Sequence, residues 1–138
     1  VKTVQAAVVA TGEQTTTTLY TDPSNDWLST SSFSPKAWNN SQDYVPIEVP
    51  TVTLKELITE PLDLLKIDIE GAEINLLQSA GKELGFVKDI ILEFHPNRKN
   101  NAADLVAFLK QFGFSLKQPL PASQKALRRL LILEFSRE

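Results

Sequence analysis

The stretch Leu62–Ile69 (LDLLKIDI) decides the fold class. Five of its eight residues are Leu or Ile. Such a run predicts a strand that is buried on both faces, as in a parallel sheet. The residues that follow, Gly71–Leu84, place apolar side chains at helical spacing and predict a helix.

The same alternation continues towards the C-terminus. Asp89–Phe94 predicts a second buried strand, and Ala102–Phe112 predicts a helix that stops at Gly113. Phe114–Lys117 and Leu127–Phe135 predict two further strands. Strand–helix alternation is typical of a doubly wound α/β sheet with helices on both faces. Since no helix joins the last two strands, we expect them to form an antiparallel hairpin.

The N-terminal part is less regular. Val1–Ala10 and Gln14–Thr21 predict two strands paired as a hairpin. Asp22–Asp43 predicts a long surface loop. Val45–Val52 predicts a strand at a sheet edge because two prolines interrupt it, and Leu54–Thr59 predicts a short helix.

Composition narrows the function classes. The 138 residues carry a net charge of −3, with 42% hydrophobic and 22% charged residues, as expected for one soluble domain. Basic residues are dispersed, so we expect no nucleic-acid partner. No apolar run approaches a membrane span. The absence of cysteine excludes disulfides and fits a cytoplasmic location, and the single histidine excludes a multi-histidine metal site.

Polar residues follow the two central strands. Lys66 and Asp68 share one face of the first strand, and Glu93 and His95 share one face of the second. Ligands bind beyond the carboxyl ends of strands in open α/β sheets, and adjacent strands lie about 4.8 Å apart. If the two strands are neighbours, Asp68, Glu93 and His95 form one pocket. A structural interpretation also exists, since Lys66 and Asp68 could simply form an ion pair.

Two acidic residues, Glu70 and Glu73, lie on the first turn of the following helix. They could support a substrate, or they could only complement the helix dipole.

Three segments together resemble the FkbM-type methyltransferase family: Val49–Leu54 (VPTVTL), Leu62–Glu73 (LDLLKIDIEGAE) and Ile90–His95 (IILEFH). The resemblance implies a Rossmann-like class I methyltransferase fold. It also implies transfer of a methyl group from S-adenosylmethionine to a hydroxyl of a sugar or small natural product. The acceptor is thus expected to be a small molecule or glycan.

Roles for individual residues follow from position in that fold. Asp68 or His95 is predicted to act as the base, and Glu93 to orient the acceptor. We predict no metal, with a divalent cation held by the two carboxylates as the less favoured alternative. The other assignments are substrate or structural support by Lys66, Glu70 and Glu73, and cofactor binding by Ala7, Val8 and Asp68.

The sequence departs from the family pattern in one respect. No pair of its five glycines makes the G-x-G turn that holds the cofactor, and the chain contains no methionine. We therefore expect residues 1–138 to be the C-terminal part of a single methyltransferase domain without its first two strands. Alone, this part is expected to bind cofactor poorly, to be inactive and to aggregate.

Two other classes of protein compete with the methyltransferase interpretation. A catalytically silent binding domain that keeps the fold remains an alternative. A receiver-like phosphate-handling module is disfavoured, because it needs acidic residues after its first strand and a lysine after its last parallel strand. Val1–Ala10 ends without acids, and Phe94 is followed by His95.

Overall fold

The computed structural model describes residues 2–21, 31–33, 45–69, 71–96, 101–123 and 125–137. The chain divides into two compact units, residues 1–53 and residues 54–138. Over the described ranges the protein is mixed α/β, with two four-stranded sheets and three α-helices. No helix in these ranges is both long and apolar enough to cross a membrane.

The first unit contains one sheet, in the order β1-β4-β2-β3. Its strands are Ala7–Val9 (β1), Thr16–Thr21 (β2), Ser31–Ser32 (β3) and Val45–Thr53 (β4). β4 pairs in parallel with β1 and antiparallel with β2. The predicted hairpin of the first two strands is therefore wrong, because β4 lies between them. Apart from Ser31–Phe33, the predicted loop from Asp22 to Asp43 lies outside the described residues.

β4 lies between β1 and β2 in the sheet order, so its predicted edge position is wrong for the strand as a whole. Each part of it nevertheless pairs on one side: residues 45–50 pair with β2, and Thr51, Val52 and Thr53 pair with β1. Pro46 and Pro50 both lie in the part paired with β2. A proline lacks the N–H that a second neighbouring strand would require, so this arrangement tolerates both.

The second unit contains the other sheet and all three helices. Its elements are Leu54–Leu57 (α1), Leu62–Ile67 (β5), Glu73–Ala80 (α2), Val87–Phe94 (β6), Ala102–Lys110 (α3), Phe114–Leu116 (β7) and Leu131–Arg137 (β8). The strand order is β5-β6-β8-β7. β5 and β6 are parallel, and β8 is antiparallel to both β6 and β7. The predicted reversed terminal hairpin is confirmed.

One face of this second sheet holds the core. Side chains of β6 and β8 on that face are buried: Ile90, Leu92, Phe94, Leu133 and Phe135. On the opposite face, Leu64 of β5 is 52% exposed and Ile132 of β8 is 61% exposed. The prediction that Leu62–Ile69 is buried on both faces is therefore wrong. β5 is the edge strand of its sheet, and over the described residues its Leu64 face is open.

Several element ends also differ from the predictions. α2 stops at Ala80 and continues as a 3₁₀ helix over Gly81–Phe86, rather than as one helix to Leu84. Another 3₁₀ helix, Ala126–Arg128, occupies the predicted start of the last strand. α3 begins where the Asn101 side chain accepts a hydrogen bond from the Asp104 amide at 2.9 Å, an N-cap that fixes its first turn.

Candidate active site

Strand register brings the predicted catalytic residues together. β5 and β6 are parallel, with Ile67 beside Leu92. One step further along both strands places Asp68 beside Glu93, with side chains directed to the same face. One ligand atom each from Asp68, Glu93 and His95 lies within 4.8 Å of the others. The predicted pocket residues thus converge at the carboxyl ends of two neighbouring strands.

The cluster, defined as Asp68, Glu93 and His95, is only partly exposed to solvent. The Asp68 side chain is 40% exposed and the His95 side chain 23%. Lys66 Nζ lies 3.7 Å from Asp68 Oδ2. This contact matches the structural interpretation of Lys66, in which it pairs with Asp68. Because both partners are well exposed, the pair contributes little to stability.

A fully buried carboxylate, that of Glu73, contacts His95 of the cluster. Glu73 is 0% exposed and is the first residue of α2. Its Oε1 lies 3.0 Å from His95 Nδ1 and accepts a hydrogen bond from the Gly71 amide at 2.8 Å. Its Oε2 is buried without a hydrogen-bond partner among the described residues. An ionised carboxylate only accepts, so His95 carries a proton on Nδ1 in this contact.

A comparison with known families decides the identity of the chain. The model of the FkbM methyltransferase domain matches residues 2–116. The chain belongs to the FkbM methyltransferase domain family. No curated protein and no solved structure matches it. The match confirms the resemblance drawn from the sequence and supports a methyltransferase function. Both strands that carry the cluster lie inside the matched segment, whereas β8 lies beyond it.

The cluster offers the FkbM domain two kinds of chemistry. Two carboxylates and an imidazole can accept a proton from a substrate, and they can also bind a cation. Both uses depend on the same three atoms being close together. No described contact distinguishes an acid–base role from a ligand role by itself.

The remaining predicted residues of the FkbM domain have different outcomes. Glu70 lies outside the described residues. Ala7 and Val8 lie in β1, where Ala7 is buried, and their cofactor role remains a prediction. The sequence indicated support by Glu73 but not its contact with His95. The only available signal was that both residues follow neighbouring parallel strands.

The first unit of the FkbM domain also carries an open polar groove of about 720 Å³. Its lining consists mainly of threonines and acidic residues, and none of the cluster residues contributes to it: Glu13, Gln14, Thr15, Thr16, Thr17, Thr18, Tyr20, Phe33 and Glu48. An open groove without convergent chemistry is a weaker candidate than the cluster. The functional proposal therefore rests on the cluster.

Proposed function

We propose that this FkbM domain transfers the methyl group of S-adenosylmethionine to a hydroxyl group of a sugar or small natural product. The observation that carries the proposal is the convergence of Asp68, Glu93 and His95 at the carboxyl ends of β5 and β6. Family membership supports methyl transfer in general. A hydroxyl acceptor is proposed because an alcohol becomes a good nucleophile only when its proton is removed, and the cluster contains groups that can accept that proton.

The proposed reaction is an in-line displacement. The acceptor oxygen forms a bond to the methyl carbon while the carbon–sulfur bond breaks and its electron pair moves to sulfur. The sulfonium becomes a neutral thioether, and the hydroxyl proton leaves to a base or to solvent. Catalysis then depends on holding the oxygen about 3 Å from the methyl carbon, opposite the sulfur.

Activation of the hydroxyl can follow two routes at this cluster. In the first, Asp68 or His95 accepts the proton and Glu93 orients the acceptor. The His95–Glu73 contact suits this route, since it fixes the imidazole ring. In the second, the cluster holds a cation that lowers the pKa of a bound hydroxyl.

The described residues fit the cofactor in part. Carboxylates at the edge of the second sheet suit the positive charge of the sulfonium, which supplies the reactive methyl group when S-adenosylmethionine is bound. None of the five glycines belongs to a G-x-G turn. Within the second unit we assign Asp68 to the cofactor, whereas Ala7 and Val8 of the first unit stay predictions from the family resemblance. We propose that the glycine-rich cradle belongs to an upstream part of the same domain.

The proposal includes the type of fold. The order β5-β6-β8-β7 with β8 reversed fits the terminal half of a Rossmann-like, class I methyltransferase sheet. We propose that the chain forms the C-terminal part of such a domain.

The test is a methyl-transfer assay on the full-length protein that contains these residues. Radiolabelled S-adenosylmethionine is incubated with a panel of sugars and polyhydroxylated natural products, and with matched deoxy or O-methyl analogues. We expect label to enter hydroxyl compounds and not analogues that lack the reacting hydroxyl. Transfer to amines or carboxylates instead would overturn the hydroxyl assignment. Donor binding without transfer to any acceptor would favour the silent binding domain.

A further inference from the structure

We infer that Asp68, Glu93 and His95 bind one divalent metal cation at the carboxyl edge of the second sheet, in place of the metal-free site predicted from the sequence. One ligand atom from each lies within 4.8 Å of the other two. Two ligands of one ion with bonds of about 2.1 Å lie at most about 4.2 Å apart. A small shift of the side chains would therefore bring all three atoms within reach of one ion.

The backbone makes this convergence robust. The adjacent positions of Asp68 and Glu93 follow from the parallel register of β5 and β6. In this register Lys66 pairs with Ile91 and Ile67 with Leu92. His95 lies two residues after Glu93 and so returns to the same face. The set therefore does not depend on one side-chain rotamer. It also mixes nitrogen and oxygen ligands, unlike a patch of surface acids.

The buried carboxylate of Glu73 is a second, independent observation that points to a cation. Glu73 is 0% exposed, and its Oε2 has no hydrogen-bond partner among the described residues. A buried carboxylate is costly unless positive charge lies nearby. Asp68 and Glu93 add two more carboxylates. Among the described residues, the cation that contacts them is Lys66, whose Nζ lies 3.7 Å from Asp68 Oδ2.

Glu73 also positions His95 as a metal ligand. Its Oε1 accepts from His95 Nδ1 at 3.0 Å, so a metal ion at this site would be bound through Nε2. Histidine ligands commonly donate their other N–H to a carboxylate, which fixes the ring and increases its basicity. Glu73 is thus a positioning residue for His95.

The ligand set defines the class of metal. One imidazole and two carboxylates favour a divalent ion that accepts both nitrogen and oxygen, such as Mn²⁺, over Ca²⁺, which takes oxygen alone. Three protein ligands leave coordination positions for water or an acceptor oxygen. This consequence rests on the proposed function: the ion would lower the pKa of the acceptor hydroxyl, whose proton leaves to water before the oxygen attacks the methyl carbon.

The experiment is a titration of the full-length protein that contains these residues with MnCl₂, monitored by electron paramagnetic resonance. Free Mn²⁺ gives a six-line signal that decreases on binding. We expect one Mn²⁺ per chain, and at least about tenfold weaker binding in Asp68→Asn, Glu93→Gln and His95→Gln. Asp63→Asn, an exposed acid on the same strand, is the matched control and should bind as the wild type does.

Glu73→Gln tests the positioning role separately. We expect affinity about 10- to 100-fold lower. The nitrogen coupling of His95 to the bound Mn²⁺, visible in pulsed experiments, should be altered or lost. Asp68→Asn should weaken binding with that coupling retained at saturating metal. Glu73→Gln with wild-type affinity and coupling would remove Glu73 from the site.

Failure of the metal site can be told apart from failure of the proposed function. No binding by the wild-type chain at about 1 mM Mn²⁺ overturns the site. Equal losses in Asp63→Asn and in the cluster variants do the same, with circular dichroism confirming that each is folded. If Mn²⁺ binds as expected but the full-length protein transfers no methyl group, the site stands and the function falls. Undiminished methyl transfer after chelation also overturns the site.

Discussion

At the scale of single residues, the contact between Glu73 and His95 joins the start of α2 to the end of β6. Glu73 opens α2, where the Gly71 amide and the positive end of the helix dipole favour its carboxylate. His95 follows β6 and reaches the same oxygen. Alternation along β6 made the shared face of Glu93 and His95 predictable. The burial of Glu73 was not, because it depends on how α2 packs.

Asp89 provides a residue-scale prediction about pH. A hydrogen bond from the Ser136 side chain, aided by the charge of Lys117, holds the pKa of Asp89 below its ordinary value of 3.8. Lys117 Nζ lies 3.5 Å from its Oδ1. Since the folded state lowers this pKa, ionised Asp89 stabilises the fold above pH 3.8. That contribution is lost as the pH falls through the lowered pKa.

We therefore expect Asp89→Asn to lose less stability than the wild type on acidification below about pH 5. Urea unfolding at a series of pH values measures the difference. Ser136→Ala should also reduce the loss of unfolding free energy over this pH range, because it removes the largest cause of the lowered Asp89 pKa. Parallel curves for the wild type and both variants would show that Asp89 is not coupled to folding.

At the scale of elements, the end of α2 depends on one glycine. Gly81 has φ 58° and ψ −125°, a conformation that side chains with a Cβ rarely adopt. Gly81→Ala should therefore cost about 1–3 kcal/mol of unfolding free energy, measured by urea denaturation. Gly85 lies in the same 3₁₀ segment, and an added Cβ there meets no atom closer than 3.9 Å.

Gly85→Ala is the matched control and should change stability by no more than about 0.5 kcal/mol. Equal effects of the two substitutions would mean that backbone conformation does not decide where α2 ends. The sequence predicted a helix in this region but placed its end at Leu84. Glycine tolerates many conformations, so its presence alone does not reveal which one is adopted.

Pairing between distant strands marks the limit of what the sequence could predict at this scale. β5, α2, β6, α3 and the terminal hairpin were predictable because hydrophobic spacing is a local property. The position of β4 between β1 and β2 was not, since it pairs residues such as Thr16 and Pro50 across a long separation. The short connection between β1 and β2 predicted that these strands pair with each other. In the structure each of them pairs with β4 instead.

At the scale of the whole molecule, the second sheet has one closed face and one open face over its described residues. Leu133 and Ile132 are consecutive on β8 and point to opposite faces, with 5% and 61% exposure. Leu133→Ala should cost about 2–5 kcal/mol, because it leaves a cavity in the core. Ile132→Ala should cost no more than about 0.5 kcal/mol.

Chemical denaturation of both variants checks this asymmetry. A large loss in Ile132→Ala would mean that the open face is covered in solution. Continuous runs such as Leu62–Ile69 predicted strands covered on both faces. The sequence alone could not indicate that β5 is an edge strand, because hydrophobicity does not report which neighbour is present.

The central claim is that Asp68 belongs to the reacting centre of a methyltransferase. The most direct measurement is the single-turnover rate of methyl transfer by Asp68→Asn in the full-length protein, with donor affinity determined on the same samples. The account predicts a rate at least about 100-fold lower, a loss of donor affinity far smaller than the loss of rate, and no change in Asp63→Asn. A wild-type rate in Asp68→Asn would contradict it.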